Sequence, residues 1–185
     1  GYIKIIKNTK DYYFAHKKRS CIVRQKAEDN LALDLTVKEN IMLRLKPNSF
    51  TNYLFPSIYF HDRINKILNN YSELKKKLNQ PCKNLSGGQK QTLAFLLVTL
   101  NNSSLLLLDE FLSATDQNTK EFLNSLSQKY ALKSPACVII VSHEIELALE
   151  NADRILTLKK GKLVSDINSN DPNWNKNYIK SMISL

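Results

Sequence analysis

Residues 85–116 read LSGGQKQTLAFLLVTLNNSSLLLLDEFLSATD, and this run constrains the fold more than any other part of the chain. Ser86 stands where a helix N-cap belongs, Gln89 follows three residues later, and a long apolar run comes next, so the spacing predicts a helix starting there. Gly87 and Gly88 oppose it, since each glycine in a helix costs about 1 kcal/mol relative to Ala. After a short polar turn, Leu105, Leu106, Leu107 and Leu108 make the continuous apolar run of a parallel strand buried on both faces. The run ends in Asp109 and Glu110, at the end of a strand where open α/β sheets bind ligands.

Each feature has a plain structural reading: a capping box alone, and an acidic turn after a buried strand. Their succession favours chemistry. Glycine amides at a helix N-terminus, with no Cβ in the way, suit an anion such as a phosphate. Of two adjacent carboxylates, one can hold Mg²⁺, usually through water, while the other polarises a water for in-line phosphoryl transfer. Nucleotide chemistry accounts for both.

With these motifs the chain resembles the nucleotide-binding domains of ABC transporters. Residues 85–89 match the signature sequence of that family, 105–110 its Walker B strand with the catalytic Glu, and Ser113, Ala114, Thr115 and Asp116 its D-loop. Gln25, after Cys21, Ile22 and Val23, is similar to the Q-loop, and His143, between Ser142 and Glu144, to the H-loop. The resemblance implies an α/β, P-loop NTPase-like (RecA-like) three-layer core with an inserted α-helical subdomain. It implies Glu110 as general base, Asp109 and Gln25 at the Mg²⁺, and Gln25 and His143 as contacts of the attacking water and γ-phosphate. Ser86, Gly87, Gly88, Gln89 and Asp116 would serve ATP across a subunit interface. The cofactors implied are ATP and Mg²⁺. The partners implied are transmembrane permease subunits and a second ATP-binding subunit, alike or different, with the chain peripheral on the cytoplasmic, inner face of a membrane.

Composition bounds the alternatives. With 185 residues, 43% hydrophobic and 24% charged, the chain has the make-up of about one globular domain, which argues against disorder. Cys21, Cys82 and Cys137 lack metal spacing and do not suggest a disulfide framework; a reducing compartment fits. No stretch of about 18 apolar residues occurs, and no signal-peptide pattern opens the chain. The net charge of +10 comes from lysines spread along the sequence without an aromatic-interleaved basic patch, so no nucleic-acid partner is expected.

Before the central run, residues 1–6 and 20–24 read as strands joined by a polar loop over 8–18. Thr36 is expected to cap a helix from Val37. Residues 46–57, with Pro47, Pro56, Phe50, Tyr53 and Phe55, break regular structure; 58–78 has helical spacing, and Pro81 ends it. After Asp116, 119–130 reads as an amphipathic helix and 136–141 as a buried strand; Ser142 is expected to cap the helix through Leu149, and a hairpin spans 154–164. The expected division is a core portion from 1–25 and 101–167, a helical subdomain over 26–100 ending in the signature helix, and a polar tail over 168–185.

One departure stands against these matches: no Gly-x-x-x-x-Gly-Lys-Ser/Thr occurs in the sequence, whose glycines are Gly1, Gly87, Gly88 and Gly161. The Walker A loop is the family's main ATP-binding element. The chain therefore looks like an N-terminally truncated, carboxyl-terminal portion of an ABC ATPase. In the family's sheet the Walker A strand lies between those read here at 136–141 and 154–158, so its loss is expected to leave a fragment that is marginal, rearranged or completed by something else. The reading is an ATP-hydrolysing subunit or fragment of an ABC transporter, with amino-acid import suggested by residues 34–40 and the apolar signature helix. The alternatives are a catalytically incomplete regulatory or assembly partner lending its signature to a complete subunit, and a chromosome-maintenance ATPase, which flanking heptads would mark.

Overall fold

The tetra-leucine run and its apolar counterparts build a sheet. In a computed structural model, which describes residues 2–7, 20–45, 56–100, 103–113, 115–134 and 136–184, strands β1 (Tyr2–Lys7), β2 (Ser20–Val23), β3 (Leu105–Asp109), β4 (Cys137–Ser142), β5 (Arg154–Lys159) and β6 (Lys162–Asn168) form one sheet in the order β2-β3-β4-β1-β5-β6. β2, β3 and β4 are parallel, with Ile22 beside Leu107 and Leu107 beside Ile139. Leu106, Leu108, Val138 and Ile140 are buried while their neighbours along each strand are half-buried, the pattern of strands covered on both faces.

The position that the resemblance assigns to the Walker A strand, between β4 and β5, holds β1, antiparallel to both. Ile5 stands between Ile140 and Ile155 in this register. The two facing edges expected to be unpaired therefore exchange their ladder bonds with Tyr2–Lys7, which spares both of them a row of unmade N–H and C=O bonds. β5 and β6 form a hairpin whose turn residues, Lys160 and Gly161, have φ of 47° and 76°, the left-handed pair of a type I′ turn.

The chain forms two compact units. One comprises Gly1–Gln25, Asn102–Ser113 and Gln117–Leu185; the other Lys26–Asn101 and Ala114–Asp116. In the first, the helices are Gln117–Lys133, Ile145–Asn151 and Lys176–Ser184. The segment 168–185, expected as a separate tail, falls in this unit: Ile179 is fully buried, and the Trp174 indole donates to the Leu149 carbonyl at 3.3 Å. One apolar stripe on the last helix was enough to dock a segment that is otherwise polar.

The helical unit contains α1 (Val37–Arg44), α2 (Pro56–Ile67), α3 (Ser72–Lys76) and α4 (Gly87–Thr99). In chain order the three helices of the sheet unit follow as α5 (Gln117–Lys133), α6 (Ile145–Asn151) and α7 (Lys176–Ser184). Thr36 caps α1 in a full capping box with Glu39. The helix expected over 58–78 is broken: a 3-10 turn at Leu68–Asn70 separates α2 from α3, at paired asparagines that compete poorly for helical backbone. Val37, Ile41, Ile64, Leu68, Leu74 and Leu93 pack into one core. Cys82 is buried there, its sulfur accepting from the Asn40 amide at 3.2 Å, and burial pushes its thiol up to about 11. The loop expected over 8–18 and residues 46–55 of the irregular stretch expected over 46–57, with Phe50, Tyr53 and Phe55, lie outside the described residues, whereas Pro56 and Ser57 of that stretch open α2.

Candidate functional site

Glu110 follows the last residue of β3 and has a φ of 42°, in the left-handed region that an L-residue enters only when held there. Two grips hold it. Its N–H donates to the Val141 carbonyl at 2.9 Å, continuing the β3–β4 ladder by one bond, and its own carbonyl accepts from the Ser113 N–H at 3.0 Å and the Ser113 hydroxyl at 2.8 Å. The chain turns away at Phe111 and Leu112, both buried.

Two sequence-predicted residues converge on this carboxylate. Gln25, just beyond the end of β2, donates its amide to Glu110 Oε2 at 3.0 Å and reaches Ser113 Oγ at 3.5 Å. His143, just beyond the end of β4, places Nδ1 at 3.7 Å from Glu110 Oε1, a charge pair only when the imidazole is protonated. The Glu110 side chain is 20% exposed and the imidazole 58%, so the pair opens to solvent on the His143 side. A cleft bounded by Glu110, Ser113, Ser142, His143, Glu144 and Leu147 lies against it. Asp109, the last residue of β3, stands beside Val141 and is exposed. All of this stands at the carboxyl ends of parallel strands, where α/β sheets bind ligands.

The described residues offer Mg²⁺ a fit of a particular kind. No group of three or more His, Cys, Asp or Glu that could hold a metal occurs among them. Mg²⁺ ordinarily takes one or two protein oxygens and keeps waters and phosphates. The Asp109 carboxylate and the Gln25 amide oxygen, for which no hydrogen bond is found among the described residues, are oxygens of that type.

Ser86, Gly87, Gly88 and Gln89 form a second cluster, in the helical unit. Ser86 Oγ accepts from the Gln89 N–H at 3.3 Å, and Gln89 Oε1 accepts from the Ser86 N–H at 3.2 Å, so the predicted capping box is complete. The Lys90 N–H goes to the Ser86 carbonyl. Two of the four orphan amides of the helix are thereby used, and the amides of Gly87 and Gly88 have no partner among the described residues. No acid lies in the first turn. Lys77 donates to Gln89 Oε1 at 2.9 Å, so a cation adds to the positive end of the helix. Asp116 lies with Ala114–Asp116 in the helical unit.

Ser142, expected as the cap of α6, is not: its hydroxyl accepts from the Glu144 N–H at 3.0 Å, and Glu144 occupies the N-cap position without capping through its side chain. Ser113 and Glu144 are the site residues that the sequence reading left aside; the D-loop match contained Ser113, but nothing in the spacing tells that its hydroxyl grips Glu110.

The model of the ABC transporter family matches residues 1–113, more than half of the chain. The chain belongs to the ABC transporter family. Among its relatives is a tyrosine transport ATP-binding protein of Clostridioides difficile, 31% identical over 83% of this chain and 62% of that protein. An aliphatic sulfonates import ATP-binding protein of Shouchella clausii is 33% identical over 77% of this chain and 54% of its own length. A leukotoxin translocation ATP-binding protein of a Pasteurella haemolytica-like species is 28% identical over 84% of this chain and 22% of its own length. The ABC chain thus spans less than two thirds of these relatives. No helix among its described residues is long and apolar enough to cross a membrane.

Proposed function

We propose that this chain is an ATP-hydrolysing portion of an ABC transporter, coupling ATP turnover to transport. The observation that carries the reading is the Glu110 carboxylate flanked by Gln25 and His143 at the carboxyl ends of β2, β3 and β4. Bound ATP·Mg²⁺ supplies the phosphoryl group and the charge that neutralises it. Glu110 accepts the proton of an attacking water, and the Gln25 amide orients that carboxylate and the water. The imidazole of His143 donates towards a phosphate oxygen and fixes the water from the other side. Asp109 and Gln25 provide oxygens to Mg²⁺. The amides of Gly87 and Gly88, with Ser86, Gln89 and Asp116, serve nucleotide held by a second ATP-binding subunit. The helical unit is an insertion in a RecA-like core, and the chain lies against permease subunits at the cytoplasmic face of a membrane. Amino-acid import is favoured by residues 34–40, the apolar signature helix and the tyrosine-transport relative.

The test is ATP turnover by the full gene product in its membrane assembly. Glu110→Gln keeps the hydrogen bond to Gln25 but removes the base, and turnover is expected to fall by on the order of 10²-fold or more while nucleotide binding persists. Turnover equal to wild type would end the reading.

A catalytically incomplete partner is the second reading, favoured by β1 in the slot between β4 and β5 that the resemblance assigns to the Walker A strand. On that reading ATP binding by this chain alone is weak or nil, and a micromolar dissociation constant would exclude it.

A further inference from the structure

Lys120 lies one turn into α5, where a cation is poorly placed with respect to the helix dipole. Its ammonium is 2.7 Å from Glu144 Oε1, and both side chains are about two-thirds shielded, at 27% and 33% exposure. Glu144 is the residue after His143, and it stands at the N-cap of α6 with backbone angles suited to capping, φ −87° and ψ 101°. Its side chain nevertheless makes no cap, because the carboxylate is drawn across to Lys120. Its N–H is meanwhile fixed on the buried Ser142 hydroxyl at 3.0 Å, so both ends of the residue are tied and His143 sits on a turn with little freedom. A second polar tie joins the same two helices, from the Gln128 amide to Asn151 Oδ1, with the Asn151 amide on the Leu147 carbonyl.

We propose that the Lys120–Glu144 ion pair is the strut that holds His143 beside Glu110, making Lys120 and Glu144 positioning residues for the water-activating pair. The inference rests on the reading of Glu110 and His143 given above. The chemistry gives the strut two tasks. It ties the helix that follows Asp116 directly to the turn carrying His143. It also neutralises a carboxylate that lines the same cleft as Glu110. Released from Lys120, the Glu144 carboxylate would be free to turn back onto the N-terminal amides of α6 or to compete with Glu110 for the imidazole, and either movement shifts His143.

The experiment compares wild type with Lys120→Met, Glu144→Gln, Lys120→Arg and the charge-reversed pair Lys120→Glu with Glu144→Lys, in the full gene product. Two quantities are read: kcat and KM for ATP in the membrane assembly, and hydrogen exchange at the amides of 143–147 without nucleotide. Lys120→Met and Glu144→Gln are expected to lower kcat about tenfold, as displacement of a positioned group does, with KM unchanged. The same two variants exchange faster at 143–147 but not along β3. Lys120→Arg restores both quantities, and the charge-reversed pair restores the exchange. Wild-type exchange in Lys120→Met overturns the strut, as does faster exchange with wild-type kcat where Glu110→Gln itself lowers turnover. If the Glu110→Gln assembly turns over ATP like wild type while exchange at 143–147 still responds to Lys120, the hydrolytic reading fails and the strut stands.

Discussion

At the scale of single residues, the backbone of Glu110 is the feature with the widest consequences. An L-residue at φ 42° sits in a region that costs roughly 1–2 kcal/mol relative to the right-handed conformations. The bonds from its N–H to Val141 and to its carbonyl from Ser113 hold it there. Glycine has no such penalty, so Glu110→Gly is expected to be more stable than Glu110→Ala by about 1 kcal/mol, read as a difference in urea midpoints. An alanine variant as stable as the glycine variant would show that the left-handed turn stores no strain. The sequence announces the acid pair, since two carboxylates after four leucines mark a strand end. It does not announce the turn. The dihedral follows from keeping one more ladder bond while burying Phe111 and Leu112, and that demand exists only once β4 lies alongside. Lys77 at Gln89 is hidden for a similar reason: one lysine of a run of three is selected by where the end of α3 leaves it.

At the scale of elements, local chemistry read well where it is local. Thr36 with Glu39 and Ser86 with Gln89 are capping boxes four residues long, and both formed as their spacing requires. Periodicity over 58–78 could not see the break at Leu68–Asn70, since apolar residues continue at helical intervals through it. The hairpin of β5 and β6 adds an element that pH can test. Arg154 donates Nε and Nη2 to the two carboxylate oxygens of Asp166 at 2.8 and 2.6 Å, and these bonds hold the Asp166 carboxyl below the usual carboxylate range. A depressed folded-state pKa gives stability that is present above the unfolded value, about 3.9, and lost as pH falls through the lower folded value. Both side chains are more than a third exposed, so solvent limits the pair to about 1 kcal/mol at most. Acid titration of wild type should therefore lose this increment below about pH 4, whereas Asp166→Asn, already lacking it at neutral pH, should show a shallower loss over the same window. Parallel acid curves for the two proteins would mean that the forked pair contributes nothing in solution.

At the scale of the whole sheet, the decisive arrangement is β1 in the middle of strands that come from much later in the chain. YIKIIK reads as a strand from its own residues, but neither its neighbours nor its direction can be read there, because pairing between Ile5 and Ile140 or Ile155 spans well over a hundred residues of sequence. Two lysines in six residues are more usual at a sheet edge, where charge discourages further pairing, than in a centre flanked on both sides. Backbone bonding on two edges is what holds such a strand in place. A proline at Ile5 removes a ladder donor and cannot be accommodated in a central strand, at a cost of about 3 kcal/mol or more. That is a large part of an ordinary domain's 5–15 kcal/mol. The chain has a single tryptophan, Trp174, in the same unit as the sheet, so its fluorescence reports unfolding of that unit. Ile5→Pro is expected to move the Trp174 transition to markedly lower urea. An unmoved transition would mean that β4 and β5 do not depend on Tyr2–Lys7, and that the slot between them is filled in solution by some other segment.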